Sequence, residues 1–282
     1  MAGEVSSGQD LLLPATNWVS GSMPDMSAIV RIGEILSDLD RDSGKLPPTE
    51  LYNEGWMLRL CLDWFSRQRS ATGPLQALDE ADWYSEALLP SAFLPRHRGD
   101  RLAESWTHAD GVIGHFDIGK ESVGGLTLKP DARQIVVTEA KMFSKLSSGV
   151  KNASYFNQAA RNVACIAEVL GRAELEAAEM DKIGFYVIAP QRRIDEGVFS
   201  DVIEKPNIQS VVNRRVSEYE DESKIEWFER EFIPVLERAD VRCISWEELI
   251  EDIDKADNEF GRALQSFYQK CVRFNEWVGR RF

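Results

Sequence analysis

Over the first hundred residues the apolar positions recur at helical spacing. The stretches MSAIVRIGEILSDLDR (26–41), TELYNEGWMLRLCLDWFSRQR (49–69) and 79–89 each predict a helix. Thr49 is the expected N-cap of the second, and Gly73-Pro74 separates it from the third. That middle helix is apolar on more than one face, which predicts deep burial.

From residue 111 the period changes to two. In GVIGHFDIG, Val112, Phe116 and Ile118 are apolar while His115 and Asp117 share the opposite face; in QIVVTEAKM, Val137, Glu139 and Lys141 share one face. Gly124-Gly125, the run LTLK and the turn Pro130-Asp131-Ala132 lie between them, so the segment reads as an antiparallel meander. A helix over 154–170, closed by Gly171, precedes IGFYVIAP (183–190), a run that suits a buried central strand. VRCIS (241–245) predicts a further strand before a helix from Trp246, and 222–238 and 257–278 read as helical. The fold class is α/β (α+β), a mixed central sheet flanked by helices, in a single domain over 1–282. Residues 1–105 form a helical N-terminal part, 106–190 the core, and 191–282 a C-terminal strand and helices.

Composition narrows this picture. With 282 residues, 43% of them hydrophobic, the chain can bury a sizeable core. A net charge of −14 excludes coating of nucleic acid by bulk attraction. Yet no acidic residue occurs between Ala140 and Ala167, where Lys141, Lys145, Lys151 and Arg161 fall, and Arg96, His97, Arg98 and Arg101 cluster upstream. That distribution suits one basic groove on an acidic protein. The four cysteines form no CxxC pair and the three histidines are scattered, so neither a zinc knuckle nor a histidine metal cage is indicated. No targeting segment or membrane-length apolar run is evident, and the expectation is a cytoplasmic protein without a membrane partner.

The candidate chemistry sits at Glu139-Ala140-Lys141, where charged residues terminate the apolar run IVVT. Composition alone should yield about two acidic-x-Lys triplets in such a chain, and Glu222-Ser223-Lys224 is a second, in a polar helical setting. Asp131 is a poor partner for Glu139: eight intervening steps at ~3.3 Å put them ~26 Å apart along an extended strand. Asp117 is expected to return beside Glu139 across the meander. Two such carboxylates supply hard oxygen ligands for Mg²⁺ or Mn²⁺, the carbonyl of Ala140 can join them, and Lys141 can act on the attacking water. His115, on the face of Asp117, and Arg161, one turn into the next helix, are further candidates for substrate contact.

GHFD (114–117), TEAK (138–141) and the glutamine of YFNQAARNVA resemble the signatures of the PD-(D/E)XK nuclease superfamily, in its RecB-like branch. The resemblance spans roughly 108–190 and departs at Asn162, where that branch carries tyrosine. It implies a restriction-endonuclease-like core and Mg²⁺-dependent hydrolysis of DNA phosphodiesters, in defence against foreign DNA or in repair, with RNA an alternative substrate. It also implies catalytic Asp117, Glu139 and Lys141, substrate contacts from Gln158 and from Ser144 and Lys145 in a loop over the phosphates, and a homodimer or larger assembly. Glu54, on the first core helix beside Leu58 and Leu62, is the residue the resemblance adds to the metal shell. Two rival readings keep the fold without the reaction: a degenerate nuclease module binding nucleic acid or protein, and an interaction protein working through its helical flanks.

Overall fold

The computed structural model describes residues 26–39, 41, 44–120 and 122–279. The chain divides into two compact units, Met1–Pro48 and Thr49–Phe282. In the first, helix α1 (Met26–Ser37) ends four residues before the expected stop and exposes Ile29, Val30 and Ile32.

The larger unit contains α2 (Glu54–Arg67), β1 (Asp82–Leu89), β2 (Thr107–Gly114), β3 (Phe116–Ile118), β4 (Leu126–Leu128), β5 (Gln134–Ala140) and α3 (Gln158–Arg172). It continues through β6 (Lys182–Ala189), α4 (Gln191–Asp195), α5 (Ser200–Ile203), α6 (Lys205–Ser217) and α7 (Glu222–Trp227). A π-helical turn leads into α8 (Ile233–Arg238), followed by β7 (Asp240–Ser245), α9 (Trp246–Ala256) and α10 (Asn258–Gly279). Five strands form a mixed sheet in the order β1-β2-β5-β6-β7; β1, β2 and β5 pair antiparallel, β5, β6 and β7 parallel.

Every residue of β5 and all but the first of β6 are buried, the pattern of strands covered on both faces. On one face α3 packs its alanines, Val163 and Ile166 into a cluster with Val112, Ile135, Val137 and Phe185. On the other lies α2, whose Leu58 and Leu62 approach so closely that a Cβ on Gly111 would sit 2.7 Å from Leu62. Helix α2 starts later than Thr49 because Asn53 is the cap, its side chain accepting the Trp56 amide at 2.9 Å. Helix α3 runs through Gly171, and the left-handed residue that follows it is Glu174.

Residues 82–89 are a strand, not the expected helix. Pairing with β2 along their whole length outweighs a local pattern compatible with either state. The expected meander is also interrupted. β2 stops at Gly114, where a Cβ would come within 2.2 Å of the Gln134 carbonyl. Strands β3 and β4 then form a separate two-stranded ladder, which touches the sheet through an isolated bridge between Leu88 of β1 and Gly125.

His115 secures this junction rather than a substrate. It is buried, its Nδ1 accepts the amides of Arg133 at 3.2 Å and Gln134 at 3.1 Å, and its Nε2 donates to the Asp79 carbonyl at 2.8 Å. His115→Ala strands two amides and one carbonyl, so it should lower unfolding free energy by ~2–4 kcal/mol in urea titrations, whereas loss under ~0.5 kcal/mol would contradict the role.

Candidate functional site

The register of β2 against β5, Gly111 opposite Thr138, brings Asp110 level with Glu139. The sheet is locally irregular there. Ser85 bonds Arg59 of α2 and Gly111 abuts α2, whereas Ala87 and Ala109 belong to the α3-side cluster. Regular alternation would keep residues two apart on one face, so both strands reverse at Glu86 and Asp110; the left-handed φ of Glu86, 59°, supplies the turn in β1.

The reversal turns the Asp110 carboxylate toward β5, where its Oδ2 accepts the Ala140 amide at 2.8 Å. The next amide, of Lys141, bonds Ile188 of β6 at 2.8 Å, so Ala140 faces β2, and its carbonyl lies on the same side as its amide. Glu139 is 1% exposed. Its Oε1 accepts from Lys141 Nζ at 2.5 Å, and its Oε2 has no hydrogen-bond partner. Burial, reinforced by the neighbouring Asp110 charge and opposed by Lys141, pushes the Glu139 carboxyl up to about 8. Trp246 Nε1 donates to the Lys141 carbonyl at 3.0 Å and holds the chain as it leaves the strand.

Asp110 thus takes the place expected of Asp117. Asp117 lies in the β3–β4 ladder, opposite Thr127, and its carboxylate pairs with Lys120 at 2.6 Å. Glu54 is partly buried in the first turn of α2, close enough to Cys271 to help raise that thiol. Among the described residues no three His, Cys, Asp or Glu side chains gather closely enough to hold one ion. Gln158 braces the loop after β5: its Oε1 accepts the Ser147 amide at 3.0 Å and its own amide bonds the Ser147 carbonyl. Ser144 and Lys145 are exposed on that loop. Arg161 stands beside Glu104 in a separate cleft. At the second triplet, Lys224 of α7 donates its Nζ to the Ala92 carbonyl in the turn after β1, a structural use.

Sequence reasoning missed Asp110 because the alternation was taken to begin at Gly111. The available signal was the strand-compatible run THAD immediately upstream, which moves the carboxylate of β2 to its N-terminal half, beside the C-terminal end of an antiparallel β5.

No family model matches the chain, and neither the curated proteins nor the solved structures yield a match. The architecture is a mixed α/β fold, a five-stranded mixed sheet flanked by helices. Among the described residues no helix is long and apolar enough to cross a membrane.

The folded protein holds the Glu139 proton more tightly than the unfolded chain does. Its contribution to metal-free stability is therefore complete below the ordinary carboxyl value of 4.5 and is lost as pH rises through about 8. Thermal melts between about pH 5 and about pH 9 should show wild type losing stability more steeply than Glu139→Gln, and parallel curves would contradict the assignment.

Proposed function

We propose that the chain is a Mg²⁺-dependent (or Mn²⁺-dependent) nuclease of the PD-(D/E)XK kind, hydrolysing DNA phosphodiesters, with Asp110, Glu139 and Lys141 as its working set. One observation carries this reading: two carboxylates from adjacent antiparallel strands converge at the Ala140 backbone, one with an unpartnered buried oxygen, beside a lysine ammonium. The succession of α2, antiparallel strands, acidic-x-Lys strand, α3 and parallel β6 agrees with a restriction-endonuclease-like core.

The donor set fits magnesium, which takes one or two carboxylates and keeps several waters, better than an ion that needs an all-protein cage. Asp110, Glu139 and the Ala140 carbonyl would hold it. When bound, Mg²⁺ neutralises phosphate charge and lowers the pKa of a coordinated water. Lys141 holds Glu139 in place and presents an ammonium that can orient the attacking water or meet a phosphate oxygen. Burial of Glu139 keeps the metal-free site from carrying two adjacent negative charges. The exposed Ser144 and Lys145 and the partly exposed Arg161 suit contacts to the rest of the strand. A cytoplasmic setting and assembly as a dimer or larger complex belong to the same reading.

Two measurements test it. Linear and circular DNA with Mg²⁺ or Mn²⁺ should be cleaved by wild type, with turnover reduced at least ~100-fold in Asp110→Asn and Lys141→Ala and little changed in Asp117→Asn. Calorimetry near pH 7 in buffers of different ionisation enthalpy should show metal binding with release of about one proton, and that release should vanish in Glu139→Gln. Absence of metal binding would favour the degenerate module that binds without cutting.

A further inference from the structure

A second cleft, of about 750 Å³, opens between the segment leading into β2 and the start of α3, lined by Glu104, Trp106, Lys151, Asn152 and Arg161. It lies at the same end of the sheet as the Asp110 and Glu139 pair, because Glu104 precedes β2 where β2 runs antiparallel to the end of β5. Six steps of chain separate Glu104 from Asp110, at most ~22 Å when extended.

Its polar groups are incompletely satisfied. Glu104 is 8% exposed; its Oε1 accepts only the Ser91 hydroxyl and its Oε2 accepts nothing. Arg161 has a buried Nε with no hydrogen-bond partner, and its charge opposes the burial that raises the Glu104 carboxyl. A buried carboxylate and a guanidinium left open on one cleft are costly unless a ligand completes both. The framework around them is anchored: the Glu104 amide bonds the Phe93 carbonyl at 2.9 Å, and Asn152 donates to the Ala103 carbonyl at 2.6 Å.

We propose that this cleft is a nucleotide subsite selective for guanine, with phosphate held by Arg161 and Lys151 and the base edge read by Glu104. The chemistry follows from the free valences. A phosphate would meet the open Nε side of Arg161 and the exposed Lys151. A carboxylate with capacity on both oxygens asks for two adjacent N–H donors, which among the four common bases only guanine presents, at N1 and N2. Trp106 adds an indole to the lining. The proposal rests on the nuclease reading only for the origin of the nucleotide, as one unit of a strand that also crosses the Asp110 and Glu139 pair.

The test is calorimetric titration of the full chain, in chelator, with GMP, AMP, CMP, UMP and inorganic phosphate. GMP should bind about tenfold tighter than the other nucleotides and than phosphate. Glu104→Gln should reduce GMP to the level of AMP, while Arg161→Ala and the surface variant Lys151→Ala should weaken every nucleotide, with folding of each checked by circular dichroism. Lys151→Ala keeps the outcome decisive if a buried variant fails to fold. Equal affinity for all four nucleotides, no binding, or indifference to Lys151→Ala would overturn the subsite. Pairing this titration with the wild-type cleavage assay in Mg²⁺ separates the two readings: GMP binding without any wild-type cleavage sinks the nuclease alone, and wild-type cleavage without GMP binding sinks the subsite alone.

Discussion

One backbone amide organises the candidate site. At Ala140 the ladder between β2 and β5 gives way, and a side-chain carboxylate from β2 occupies the position of the missing strand partner. A buried amide needs an acceptor, so Asp110 cannot be removed without cost whatever else it does. That requirement fixes the carboxylate next to Glu139 and turns the Ala140 carbonyl toward the same side. The reversal at Glu86 and Asp110 is what lets two strands depart from regular alternation together, and the burial on both faces of β5 prevents the arrangement from slipping in register.

The same packing sets the electrostatics. Glu139 is raised first because burial removes it from water, and second because Asp110 stands next to it; Lys141 offsets only part of this. A buried carboxyl with one unpaired oxygen is a costly feature beside neighbours that spend their polar groups on structural partners. His115 gives both ring nitrogens to the backbone, Gln134 bonds Leu78 and Gln76, and Thr138 bonds Gly111. The contrast separates groups that close the fold from a carboxyl that leaves capacity open, and it is independent of any likeness to another protein.

Much of the architecture was legible in local pattern. The strands around IVVT, IGFYVIAP and VRCIS and the helices after them follow from continuous β-rich runs bounded by turn or cap residues. What local pattern lacked was pairing. Residues 82–89 carry an alternation weak enough to pass for a helix, and only β2 as a neighbour makes them a strand. GVIGHFDIG looks like one strand, but close backbone contact at Gly114 divides it and sends Asp117 into another ladder. The acidic-x-Lys half of the site was readable because strand periodicity alone sets it. Its partner was not, because register is a property of two strands and a loop of intervening chain.

Net charge constrains the order in which such a site would be used. At −14 the whole protein repels a polyanion, but charges beyond ~8–10 Å are screened at physiological salt, so the local set decides. Near Glu139 that set is Asp110, Lys141 and a carboxyl held largely neutral by burial. Without metal, Asp110 and Lys141 roughly cancel and give a phosphate little to bind. On the nuclease reading, a divalent cation that displaces the Glu139 proton adds two positive charges and one negative, a net gain of about one at the point where the phosphate must sit. Metal then substrate is the favoured order. The acid-free stretch from Ala140 to Ala167 keeps that gain from being offset by the loop and helix immediately downstream.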